Sequence, residues 1–425
     1  MDDRRIYLIG QEFSLYISRL YDKIAEKTNE FTFSSEWHAS MSGSNIYVES
    51  RSINKIEVAD TYSAFKKIIS LSRILFIPAF WREVFCAVRM NQVKGLQSLY
   101  SYTMAFHILP QIIRKSIIDK QNFSSFHFHY LHPNNLRLLD YLPQKSNVIC
   151  TFWGSDIFLQ DSDWENYHVA KALKKAQVIT VTTKEMANAV LEKYGEDLKQ
   201  KIRYCTFILD ESLFRLIENF TTNASLKDDF RDKFKIPKEK VVISIGNNGR
   251  LANNHMQVIE QLCMLDEKVR QNIFIIIPLT YGIEQPGYAE MLGDALKDGG
   301  FQFMVLRDFL SLEELAGFRS VTDIYIHVPG DDALSGTAIE YMYGGNILVT
   351  GSWLPYSYFR DIRLNYFVID DIPCITQTIN DILLNLAAQK NLVKNNTAII
   401  KRHIHPDSVV SGWIDSYRLL GGKQL

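Results

Sequence analysis

The sequence predicts an α/β protein built from two doubly wound, Rossmann-like domains. Three observations carry this prediction. The chain of 425 residues is longer than one compact core usually grows, so two domains of roughly 200 residues each are expected. Short apolar runs alternate with longer helix-period segments, the pattern of parallel α/β architecture. Several of those runs are apolar at consecutive positions, as strands covered on both faces by helices are.

In chain order, strands are expected at "RIYLIG" near residue 5, "SFHFHYL" near 127, "NVICTFWG" near 149 and "QVITVTT" near 180. A second set follows at "KVVISIG" near 242, "NIFIIIPL" near 275, "FQFMVL" near 303, "DIYIHV" near 325 and "NILVTG" near 348. Between them "DWENYHVAKALKKA", "KEMANAVLEKYG", "HMQVIEQLCMLD" and "SLEELAGFRSV" repeat apolar residues at three- and four-residue spacing, which makes them helices. The polar stretch "ENFTTNASLKDDFRDKFKIPKEK" ends in a proline before a fresh strand and reads as a linker with one short helix. It divides the chain into an N-terminal domain over 1–220 and a C-terminal domain over 235–375. Residues 376–425 return to a helical pattern and are expected to pack back on the domains. No internal repeat or low-complexity tract is visible.

Bulk composition removes several function classes. Hydrophobic residues make up 47% of the chain, and 47 basic against 48 acidic residues leave a formal charge of −1. There is no electrostatic footprint for nucleic acid. The five cysteines stand singly with no CxxC pair, which suits reduced thiols in a cytoplasmic setting and argues against structural zinc. The start "MDDRRIYLIGQEF" lacks the basic head and long apolar core of a signal peptide. No window approaches the run of about 18 apolar residues that spans a bilayer. The nearest stretch, "IISLSRILFIPAFWREVF" over 68–85, carries Arg73 in its middle and sits between Lys66, Lys67 and Arg82. It is read either as an amphipathic core element or as a segment lying in a membrane interface, its cations on lipid phosphates.

Two loops could hold an anion. In "DIYIHVPGDDALSGTAIEYMYGGNILVTG", over 323–351, the order is strand, loop, helix, Gly-Gly, strand. The helix should begin near Ser335. The amides of Ser335, Gly336 and Thr337 then lie at a helix start, where unpaired N–H groups and the helix dipole favour a diphosphate. Gly336 permits close approach, and Glu340, a turn deeper, could accept hydrogen bonds from a ribose diol. The competing reading is a helix capped by Asp332 or Ser335 with Glu340 merely exposed. In "KVVISIGNNGRLANNHMQVIEQL", over 240–262, Gly246 and Gly249 suit a tight turn whose amides face an anion, and Arg250 can grip phosphate oxygens two-pronged.

The N-terminal half offers "NVICTFWGSDIFLQDSDWENY". Trp153 would give a flat wall for a sugar face. Asp156 stands at the carboxyl end of a strand, where α/β sheets place ligands, and could serve as general base on an acceptor hydroxyl or simply cap the next helix. "DSD" at 161–163 could hold a divalent ion, but it sits several residues after the strand and directly before a helix, which argues against that role. "HFHYLH" places His127, His129 and His132 on a strand leading into a loop. Structural or cleft-lining roles suit them better than a metal cluster, with His132 assigned to the acceptor side.

At this point the sequence resembles a known family. Two-domain nucleotide-sugar transferases of the glycosyltransferase family 4 kind carry an acid, seven residues, a Glu, then a short helix ending in Gly before a strand. Asp332 and Glu340 stand at those positions, ahead of "YMYGG" and "NILVT". The first acid is Asp where the family usually has Glu. Arg250 matches a diphosphate-binding Arg, while His255 occupies the position of the family's Lys. "GNNGRLANNH" and the segments after it, over about 240–362, more narrowly resemble the bacterial 4-acetamido-4,6-dideoxygalactose transferases, which also carry a Trp-Gly-x-Asp as in Trp153 to Asp156. The resemblance implies the GT-B arrangement, two Rossmann-like domains facing across a cleft. It implies a nucleotide diphosphate-sugar donor with diphosphate on Arg250, His255 and the amides of Ser335 to Thr337, ribose on Glu340, and sugar near Asp332 and Trp153. It puts the donor on the domain over 235–375 and the acceptor, a saccharide or a polyprenyl-diphosphate-linked saccharide, on the domain over 1–220, at the inner face of the cytoplasmic membrane. No metal or other cofactor is expected. A non-catalytic nucleotide-sugar-binding protein would keep Arg250 and Glu340 without an acceptor base, and an epimerase on the same scaffold would need no acceptor.

Overall fold

A computed structural model describes residues 4–10, 15–37, 50–57, 64–76 and 78–420. The chain divides into two compact units. Unit 1 comprises Met1–Ile208 and Val409–Leu425, and unit 2 comprises Leu209–Ser408.

Unit 1 is built on a seven-stranded sheet: β1 (Arg4–Ile9), β2 (Phe31–Trp37), β3 (Ile53–Glu57), β4 (Ser125–His129), β5 (Asn147–Thr151), β6 (Val178–Val181) and β7 (Ile202–Tyr204). All pairings are parallel, in the order β3-β2-β1-β4-β5-β6-β7. The chain therefore winds outward in both directions from a switch point between β1 and β4. Every residue of β4 is buried, so its two histidines lie inside the sheet layer. The C-terminal helix Pro406–Arg418 lays Val409, Val410, Trp413, Ile414 and Tyr417 into a core with Ile6, Leu8 and Tyr21. That spacing of one, four, five and eight positions is a single helical face.

Unit 2 has six parallel strands: β8 (Val241–Ile245), β9 (Ile273–Pro278), β10 (Gln302–Leu306), β11 (Ile324–His327), β12 (Ile347–Gly351) and β13 (Phe367–Ile369). Their order is β10-β9-β8-β11-β12-β13, with Ile324 opposite Ile243 on one side and Ile347 on the other. Period-two alternation sends Val242, Tyr325 and Leu348 into one core and Ile243, Ile324, Ile326 and Val349 into the other. The switch point lies between β8 and β11. In such sheets the crevice outside the carboxyl ends of the strands at that point is where ligands bind.

The unit boundary differs from the sequence expectation. The stretch from 211 to 233 is not a linker. It forms two helices, Glu211–Thr222 and Ala224–Lys233, capped by Asp210 and Asn223. Leu213, Phe214, Ile217 and Phe220 bury one face of the first against Ala316 and Phe318, in the core of unit 2. The expected domain of 1–220 thus gives up its last helix. The block over 376–425 is also divided, since only its final segment belongs to unit 1.

Candidate functional site

The two anion-loop candidates, roughly 80 residues apart in sequence, meet at the switch point of unit 2. The loop after β8 and the loop after β11 are stitched directly. Asn254 Nδ2 donates to the carbonyl of Val328 at 2.7 Å, and the amide of Gly330 donates to the carbonyl of Ala252 at 2.8 Å. Asn248 Oδ1 organises the first loop by accepting from the amide of Arg250 and from Asn253 Nδ2, both at 2.9 Å. Trp353 Nε1 donates to the carbonyl of Pro329 at 2.7 Å, so the aromatic loop after β12 holds the second loop from its other side.

Within this frame Arg250 lies on the surface, with Nε 3.5 Å from Glu284 Oε1. Ser335 is the N-cap of the helix Gly336–Tyr343, and its side chain accepts from the amide of Ala338 at 3.2 Å. The amides of Gly336 and Thr337 head that helix, where no preceding turn supplies an acceptor. Glu340 Oε2 accepts from Arg319 Nε at 3.1 Å. Arg319 is itself buried, with its guanidinium 4.2 Å from the centre of the Tyr341 ring. Asp332 Oδ2 accepts from His327 Nε2 at 3.0 Å and from the Tyr356 hydroxyl at 2.6 Å, and Oδ1 accepts from the amide of Ala333 at 2.7 Å. Burial disfavours the charge of Asp332, but those hydrogen bonds outweigh it and hold the carboxyl below its usual range.

One expectation for this loop pair is corrected. His255 is 0% exposed, and burial pushes its imidazole down to about 4. It is neutral near pH 7 and presents no cation to a diphosphate. Its Nδ1 meets the Tyr288 hydroxyl at 3.1 Å, and its ring fills the space beneath Gly246, where a Cβ would come within 2.3 Å of Nε2. At Gly336 a Cβ would come within 3.0 Å of the Leu209 side chain.

In unit 1, Asp156 is also corrected. Its carboxylate is 0% exposed and accepts from the amides of Leu131 and Trp153 at 2.8 Å and of Gly154 at 2.9 Å. Burial raises its carboxyl to about 6 against those three donors. A group closed off in this way cannot reach an acceptor hydroxyl, so the expected general base is a staple joining the loops after β4 and β5. Trp153, the residue it positions, is partly exposed and stacks on Phe207 with ring centres 4.7 Å apart. His132 caps the short helix Pro133–Leu136, its Nδ1 accepting from the amide of Asn134 at 3.3 Å. His127 and His129 are buried in a network with Tyr21, Tyr417 and Thr151. The "DSD" run forms a capping box around Ser162, with Asp161 at the surface 3.3 Å from Lys193. Nearby, a cavity of about 740 Å³ is lined by Lys94, Gln97, Ser101, Tyr102, Phe106 and Trp164.

Comparison with solved structures places this geometry in context. A glycosyltransferase from Rickettsia africae ESF-5 superposes with a TM-score of 0.70 at 12% identity, over 100% of both chains. Anabaena Alr3699/HepE in complex with UDP and glucose gives 0.66 at 9% identity, over 98% of this chain and 99% of that one. WaaG, a glycosyltransferase involved in lipopolysaccharide biosynthesis, gives 0.59 at 11% identity, over 98% of this chain and 100% of that one. The fold is GT-B. No family model matches the sequence, and no curated protein matches it.

A GT-B chain read from its sequence alone hides several of its polar residues. Arg319 holds Glu340 of the helix, and His327 and Tyr356 hold Asp332 of the loop before it. His327 carried the clearest signal, as the last residue of a strand at its carboxyl end. Arg319 gave little, since an arginine in "AGFRSV" ordinarily faces solvent and here pairs with a residue 21 positions on. The loop after β12 supplies Tyr356, whose contact with Asp332 depends on how that loop folds back.

Proposed function

We propose that this protein is a glycosyltransferase, of the hexosyl-transferring kind, that moves a sugar from a nucleotide diphosphate donor to a saccharide acceptor in the synthesis of bacterial surface polysaccharide. The observation that carries the reading is the joining of the Arg250 loop to the Ser335–Glu340 helix start at the switch point of unit 2. Arg250 and the amides at Gly336 and Thr337 would take the diphosphate, Glu340 the ribose, and Asp332 the sugar. Catalysis would consist of positioning and of stabilising the departing diphosphate by helix dipole and guanidinium, without a metal ion. Trp153, with Asp156 as its positioning residue, and His132 would serve the acceptor in unit 1. The aromatic cavity at Tyr102, Phe106 and Trp164 offers flat faces on which sugar rings stack.

The likeness to a fold known in complex with UDP and glucose favours a uridine or deoxythymidine diphosphate donor. The resemblance of 240–362 to the dideoxysugar transferases, and the fold shared with a lipopolysaccharide enzyme, favour a polyprenyl-diphosphate-linked acceptor. The test is a thermal-shift panel of nucleoside diphosphates, since a ligand of the native state raises its melting point with occupancy. UDP or dTDP at 100-fold over Kd should stabilise the protein by about 2.7 kcal/mol. Arg250→Ala should weaken that binding about 10-fold or more, as loss of a charge-assisted bond to phosphate does. Glu340→Gln should weaken it while keeping the helix. A protein that no nucleotide stabilises would sink the proposal.

A further inference from the structure

The geometry points to a membrane-docking face on unit 1, formed by exposed side chains between residues 71 and 76 and between 81 and 100 and built for an anionic bilayer surface. The helix Pro78–Arg89 carries two apolar stripes rather than one. Phe80, Val84 and Ala87 face inward, in a core with Ile74, Tyr102 and Trp164. Trp81, Phe85 and Val88, one position on at the same four- and three-residue spacing, face outward and are exposed. A helix that only covers a core needs the first stripe and has no use for the second. Phe76, just before this helix, is 88% exposed, and Leu96, 87% exposed, and Tyr100 stand exposed a turn apart on the helix that follows. Isolated surface apolar residues are ordinary, but a contiguous set of large ones marks an interaction surface.

Charge identifies the partner. Between residues 64 and 118 the sequence holds a single acid, Glu83. Glu83 is buried and occupied by the Tyr167 hydroxyl at 2.6 Å and Lys171 Nζ at 2.9 Å. The cations of the stretch are on the outside: Arg73, Arg82, Arg89 and Lys94 are all exposed, and no ion pair involves them among the described residues. The face is thus apolar and aromatic with exposed charge of one sign, the composition of an interfacial helix on anionic lipid. A second copy of the chain is a poor occupant, because a self-complementary contact would set these cations against themselves. No helix among the described residues is long and apolar enough to cross a membrane, so the attachment is one of lying on the surface.

The inference does not depend on the transferase reading, and its test uses no sugar nucleotide. The full chain would be sedimented with vesicles of phosphatidylcholine alone and of phosphatidylcholine with about a third phosphatidylglycerol, a composition whose negative surface attracts basic segments. Binding should appear with the anionic vesicles, fall at high salt, and be at least about tenfold weaker on neutral ones. The double variant Phe76→Ser/Phe85→Ser should lose most binding, and Arg82→Glu/Arg89→Glu should lose both binding and its salt dependence. All four positions are exposed, so the melting temperature should not move. Equal binding to both vesicle types, no binding to either, or unchanged binding by both variants would overturn the inference. So would a dimer in solution that Phe85→Ser converts to monomer.

Discussion

Asp156 shows how a single residue can satisfy a motif and yet do different work. Its position after a strand, inside Trp-Gly-x-Asp, suits a catalytic base, and the spacing is legible in the sequence. Its burial is not, because that depends on the amide of Leu131 arriving from the loop after β4. Replacing it with Ala would strand three buried donors, each costing about 1–3 kcal/mol if left unpaired. Asp156→Ala should therefore destabilise unit 1 by at least about 2 kcal/mol in urea unfolding, with Asp156→Asn intermediate because one carbonyl oxygen remains. A general base would give the opposite pattern, with Asn abolishing turnover at unchanged stability. Glu340 is the converse case. Its place in the helix was readable, but its partner Arg319 was not, since the pair joins two helices that the sequence leaves unrelated.

The elements themselves were mostly legible. Nine expected strands all form, because buried parallel strands announce themselves as consecutive apolar residues. The ones missed are informative. β2, "FTFSSEW", and β3, "INKIE", are polar enough to pass for loops, and β7 and β13 are three residues each, too short for any period to register. Helix packing was least legible where glycine decides it. Gly317 lies in the helix Leu312–Val321, and a Cβ there would come within 2.2 Å of the Phe230 ring. The glycine lets the helix Ala224–Lys233 lie close. Gly317→Ala should gain slightly in helix propensity yet lose net stability by about 1–3 kcal/mol from overpacking. A rise in the unfolding midpoint would show that the Phe230 ring moves aside freely.

For the whole molecule, the buried histidines set a pH limit. Burial lowers His107, His168 and His255 to about 4 and His129 to about 3 from an ordinary 6.5. Their unfolded forms bind protons first as pH falls, so the stability they contribute is complete above 6.5 and is lost through the window down to about 4. Asp156, raised from 3.8 to about 6, has the opposite sign, and its penalty is relieved as pH falls through that value. Four groups outweigh one. The melting temperature should decline from pH 7 toward pH 5, more steeply as the pH moves down between the unfolded and folded values, by an amount equivalent to on the order of 1 kcal/mol per histidine. A flat profile would mean that these imidazoles are solvated or already protonated.

The return of the last helix to unit 1 has a consequence for synthesis. The Tyr417 hydroxyl lies 2.9 Å from that of Tyr21, across 396 positions of sequence, and Trp413 is buried in the same core. At the ordinary elongation rate of about 5–20 residues per second, that interval lasts roughly 20–80 s. The second-made unit has all its strands before the first-made one receives its closing helix. A nascent chain halted ahead of Val409 would therefore expose the Tyr21, Phe31 and Phe33 face to chaperones, so the N-terminal core is sealed only once the helix Pro406–Arg418 has been made.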